Sequence, residues 1–123
     1  MDAYLKSLES MPSPYLVEGQ LSEAARRGKA LFHSNRVGCS RCHPPPLFTD
    51  CRIHRMGTPP SRYFDNLFDT PTLVEVWRTA PYLHEGQYAT VRDLLIDGRH
   101  GLRPEFELTE AEIEDLVEYV LSL

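Results

Sequence analysis

Apolar residues at Ile113, Leu116, Val117, Val120 and Leu121 recur with helical spacing at the end of the chain, behind Thr109 and Glu112 in capping-box spacing. This predicts an amphipathic helix whose apolar stripe needs a partner. A second helix is predicted to open at Ser22, with Leu21, Ala24, Ala25, Gly28, Leu31 and Phe32 on one side. Gly28 would allow the two backbones to approach closely, which makes Gly28 against Tyr119 the expected crossing point. Thr70-Pro71 has the form of an N-cap followed by proline, starting a helix through Leu73, Val74, Val76 and Trp77. Thr90 and Asp93 start another, carrying Val91, Leu94 and Leu95, with Gly98 placed to end it at C′. Residues 44 to 69 hold five prolines and no sustained period, so they are expected to form a long loop. Every regular element predicted is helical, and the expected fold class is all-α.

Tyr4-Leu-Lys-Ser-Leu8 echoes the closing Tyr119-Val-Leu-Ser-Leu123. Two ordinary helix ends would look this way, as would the tail of a preceding domain of the same kind joined by a Met11-Pro-Ser-Pro14 linker. Residues 1–20 are accordingly read as an N-terminal extension and 21–123 as one domain. The 123 residues are 41% hydrophobic, enough for a modest core. A formal charge of -5 argues against a nucleic-acid partner. No apolar run reaches the length of a membrane span.

The chemistry concentrates in Cys39-Ser40-Arg41-Cys42-His43, a C-x-x-C-H. Two thiols three positions apart can each bond a haem vinyl group while the adjacent imidazole ligates the iron. The same stretch also spells a rival: Cys39, Cys42, Cys51 and His54 form C-x2-C-x8-C-x2-H, which suits a structural zinc. The zinc set leaves His43 without a purpose, and its eight-residue loop is short for such sites. With haem bound, Cys51 is left over and is expected to be a partly buried free thiol. The acidic residues Glu110, Glu112, Glu114, Asp115 and Glu118 are read as an outer, solvated face of the last helix, with docking of a basic redox partner as the alternative.

Arg27-Gly-Lys-Ala-Leu-Phe32, Pro45-Pro-Leu-Phe-Thr-Asp50, His54-Arg-Met-Gly-Thr-Pro59, and Asp69-Thr-Pro-Thr-Leu73 running into Trp77-Arg-Thr-Ala-Pro-Tyr-Leu-His-Glu-Gly86 together resemble the C-terminal haem domain of the di-haem cytochrome c peroxidase and MauG-like proteins. Thr90 to Leu95 and Leu108 to Leu123 continue the match, which covers roughly residues 21–123. The resemblance implies a cytochrome c-like fold around one covalent haem c, an extracytoplasmic, periplasmic-type location, and an electron-transferring role beside a second haem domain. The sequence departs from the family in holding a single C-x-x-C-H, so the second haem and its peroxide chemistry lie outside these residues. Haem attachment outside the cytoplasm and the absence of a signal peptide at Met1 predict a piece of a longer protein, or an artificial start.

His43 is the expected proximal ligand. The resemblance places the distal ligand after the helix near Thr90, where this chain has Asp97-Gly-Arg-His-Gly101, so His100 is the first candidate. Met56 is the second, and an open sixth position is the third. His54 is expected to line the loop, His84 to be structural, and His33 to be a cation at a helix C-terminus. Phe48, Trp77, Tyr82, Leu83 and Leu94 are the expected pocket walls, and Arg78 a partner for a haem propionate. Two nitrogen ligands would define an electron carrier of lower potential than a His/Met pair, and an open site would define an oxidase or peroxidase.

Overall fold

The computed structural model describes residues 3–4, 7–55, 67–98, 100–102 and 106–123. Among the described residues, the helices α1 (Glu23–Phe32), α2 (Val91–Ile96) and α3 (Glu110–Leu121) are joined by loops carrying the single-turn 3-10 segments Cys39–Arg41 and Val76–Arg78. Two short strands, β1 (Ile53–Arg55) and β2 (Leu67–Asp69), pair antiparallel with Ile53 opposite Asp69, His54 opposite Phe68 and Arg55 opposite Leu67. Among the described residues no helix is long and apolar enough to cross a membrane.

The sheet corrects the all-α expectation and divides the loop predicted over residues 44–69. Each strand is three residues long, and each turns its apolar ends, Ile53 and Leu67, to solvent while His54 and Phe68 lie half-buried. Hydrophobic alternation, the pattern that reveals a strand, is therefore reversed here. The helix predicted from Thr70 is also absent. Thr70 N and Oγ1 both donate to Arg52 O, at 3.0 and 3.4 Å, so the residue extends the sheet instead of capping a helix, and Glu75 turns left-handed at φ 61°. Only the single turn Val76–Arg78 follows.

The other helix ends follow their caps. Ser22 Oγ accepts from Ala25 N at 3.0 Å, and Thr90 Oγ1 accepts from Asp93 N at 3.0 Å. Thr109 and Glu112 form both halves of a capping box. Gly98 follows the C-cap Asp97, as expected.

The core is built on the crossing of α1 and α3. A Cβ added to Gly28 would run into the backbone carbonyl of Asp115 and stand 2.9 Å from Tyr119 Cβ, so only glycine permits this approach. Phe32 and Leu116, both 1% exposed, fill the space beside it. Burying each is worth about 1.5–3 kcal/mol. Phe32 meets Tyr119 edge-on at 5.3 Å between ring centroids and Phe48 at 6.2 Å. α2 closes the group against α3 through Val91 and Leu95.

The acidic face of α3 stays solvated at Glu110 and Glu114, and arginines from elsewhere in the chain pair with its acids. Asp115 is buried, and Arg27 Nε and Nη2 each donate to its carboxylate at 2.7 Å. Arg36 pairs with Glu112, and Arg92 with Glu110 and Glu114. The segment before α1 is tied to the same end of the molecule: Ser13 Oγ donates to Leu121 O at 2.5 Å and Met11 N to Glu75 Oε1 at 2.5 Å.

Gly28→Ala is expected to destabilise the chain by about 2–3 kcal/mol, since the clash is with backbone that cannot rotate away; a denaturant midpoint unchanged from that of the parent would contradict the crossing. The Arg36 guanidinium, aided by the Thr109 backbone N–H, holds the Glu112 carboxyl down at about 2 from an ordinary 4.5. The stability this supplies is present above pH 4.5 and is lost as the pH falls toward 2. Thermal melts of Glu112→Gln across that interval should show a shallower acid slope than the parent.

Candidate functional site

Val37 is buried at 1% exposure and Gly38 follows it in a left-handed conformation, φ 71°, which turns the chain into the 3-10 segment Cys39–Arg41. The segment sets Cys39 and its C-cap Cys42 one 3-10 turn apart. Cys42 N and His43 N both return to Cys39 O, at 3.2 and 3.0 Å. Burial pushes the Cys39 thiol up to about 11.

The His43 ring is fixed by its Nδ1, 2.9 Å from Phe48 O. A carbonyl can only accept, so Nδ1 carries the proton and Nε2 is left with a free lone pair. Phe48 is itself held at φ 51°, with its ring against Phe32.

His100 reaches the same place from α2. Its N donates to Leu94 O at 3.3 Å, and its ring centroid lies 6.5 Å from that of His43 with the planes 56° apart. The buried Nδ1 of His100 has no hydrogen-bond partner among the described residues. Burial, reinforced by the neighbouring His43, pushes the His100 imidazole down to about 4, and burial likewise lowers His43. Two neutral imidazoles thus face each other, with a polar atom unsatisfied at a cost that metal ligation nearby can offset.

These residues fit a haem. Two metal–nitrogen bonds of about 2.0 Å, with the half-widths of two imidazoles, separate ring centroids by roughly 6 Å. Cys39, Cys42 and His43 would hold the group from one side and His100 from the other. The buried Nε1 of Trp77 likewise has no hydrogen-bond partner among the described residues. Leu94 and Leu83 are half-buried, and Tyr82 is buried with its hydroxyl donating to Val76 O at 3.1 Å. Arg78 lies 5.9 Å from the Trp77 ring centroid and its guanidinium pairs with Glu75.

The remaining candidates are elsewhere. Met56 lies outside the described residues, as do Leu5, Lys6 and Arg99 of the sequence motifs. His84 stacks on Phe68 at 4.1 Å, and His33 is exposed at the C-cap of α1. Cys51 is exposed, not partly buried as expected, because its left-handed turn, φ 53°, carries it away from the core. The predicted zinc quartet is not brought together as a set. Cys42 and His54 instead converge with Asp50, one ligand atom of each lying within 4.8 Å of the others. Asp50 was not singled out from the sequence, although its i, i+4 spacing to His54 was available. His54 Nε2 donates to Asp50 Oδ2 at 2.7 Å, and despite opposing burial this bond and others hold the Asp50 carboxyl at about 2.

No protein-family profile matches the chain. The hydrazine synthase gamma subunit of Kuenenia stuttgartiensis is 28% identical over 98% of this chain and 47% of its own length. MauG of Methylorubrum extorquens, a methylamine utilization protein, is 34% identical over 86% of this chain and 36% of its own length. The solved structure of the Kuenenia hydrazine synthase superposes with a TM-score of 0.79 at 26% identity, covering 98% of this chain and 52% of that one. The relatives are haem-binding proteins and support a haem protein here. These likenesses support a place in the MauG and di-haem cytochrome c peroxidase-like family. It spans about half, or less, of the length of the relatives it matches.

In the haem-free chain at pH 8, iodoacetamide should label exposed Cys51 well before Cys39, whose burial keeps it a thiol. Peptide mass spectrometry showing equal rates would contradict the burial of Cys39.

Proposed function

We propose that this chain is a mono-haem c-type domain that transfers electrons, with its iron held between His43 and His100, as one part of a longer protein outside the cytoplasm. The observation that carries this reading is the pair of facing imidazoles, 6.5 Å apart between ring centroids, one oriented by Phe48 O and the other buried with a polar atom unpaired. When bound, the haem supplies a one-electron couple.

The chain's own residues set the character of that couple. His43 keeps Nε2 available because its Nδ1 proton is committed to the Phe48 carbonyl. His100, as a second nitrogen ligand, would leave no place for a small molecule and would favour a lower potential than a thioether. The relatives include proteins named as peroxidases and MauG. In a parent of that kind this domain would relay electrons to a second haem carried by the portion outside this chain. The arginines that cover the acids of α3 favour the adjacent haem domain over a separate basic protein as the redox partner.

Optical spectra of the matured chain test this. The ferric form is expected to be low-spin and indifferent to added peroxide, and His100→Ala is expected to convert it to a high-spin form that binds cyanide. An unchanged spectrum in that variant would remove His100 from the iron and make Met56 the ligand to examine.

A further inference from the structure

The convergence of Cys42, Asp50 and His54 is not used by the haem reading. We infer that, before haem is attached, these three side chains bind a thiophilic divalent cation such as zinc, and that forming the Cys42 thioether abolishes the site. The second half rests on the haem reading, while the first stands without it.

The ligand set combines one thiolate, one imidazole and one carboxylate, each of which zinc accepts. Its members are held from different directions. Asp50 N donates to Cys42 O at 3.0 Å, folding the loop back over the cysteine, and β1 carries His54 in register with Phe68. The Asp50 side chain is 13% exposed and that of His54 is 34% exposed, so the site is covered yet reachable from solvent. Bonds of about 2.0–2.3 Å around a tetrahedral ion put its ligand atoms roughly 3.3–3.8 Å apart. The observed 4.8 Å limit requires only a small contraction. The cation would replace the proton that His54 now shares with Asp50, and water would take the fourth position.

Addition of the Cys42 S–H across a haem vinyl C=C, sulfur to one carbon and the proton to the other, turns a group that can ionise to a thiolate into a neutral thioether. A site that needs the thiolate charge is lost at that moment. Cation and haem are therefore alternative occupants of one sulfur atom.

The test is a titration of the haem-free, reduced full-length chain with cobalt(II) as the probe. Binding of one cobalt per chain, with a thiolate charge-transfer band and tetrahedral d–d absorption reversed by zinc, is expected. Cys42→Ser, Asp50→Asn and His54→Gln should each weaken binding by at least about tenfold. Cys51→Ser should leave it within about twofold. Loss of binding in that variant, or no band in the parent chain, overturns the site. A thiolate band that persists in the haem-loaded chain overturns the mutual exclusion. A chain that binds cobalt this way yet takes up no haem would leave the site standing and remove the function proposed above.

Discussion

Where Gly28 meets Asp115 and Tyr119, α1 and α3 approach to backbone contact, and both histidines depend on that crossing. On one side Phe32, at the end of α1, packs on Tyr119 and supports Phe48, whose carbonyl orients His43. On the other side α2 lies on α3, and Leu94 O receives the backbone of His100. Two loops with little regular structure of their own thereby present imidazoles to a common space. A side chain at position 28 would part the helices and loosen both supports together.

The electrostatics around this scaffold divide into two kinds. At the surface, arginines from α1, from the loop after it and from α2 meet the acids of α3 in partly exposed pairs, which align elements more than they stabilise them. Inside, the histidines are neutral because burial disfavours their charged forms. A neutral imidazole with a free lone pair is a ligand for a transition metal, so the burial that would be a defect in a protein without a cofactor suits a haem protein.

Local chemistry made much of this legible in the sequence. Ser22, Thr90 and the Thr109–Glu112 box announce the helix starts, and Gly28 announces the close crossing, because caps and small residues act within a few positions. The stretch after α2 lacks Met and Tyr, which with the family resemblance points to His100, and the fold brings its ring 6.5 Å from that of His43. What failed to show depended on distant partners. Arg27 neutralises Asp115 across 88 positions, which no helical wheel of α3 could indicate. Thr70 reads as a cap until Arg52 claims its backbone, and β1 and β2 are too short, with Ile53 and Leu67 facing outward, to leave a periodic trace. Cysteine spacing carries no sign of Asp50, whose carboxylate only the chain fold brings to Cys42.

The central claim is that the iron of the matured chain sits between two imidazoles. Iron K-edge X-ray absorption on the haem-loaded protein measures this directly. The account predicts a first shell of six nitrogen atoms in a low-spin centre with no sulfur; a sulfur scatterer bonded to iron, or a five-coordinate shell, would contradict it.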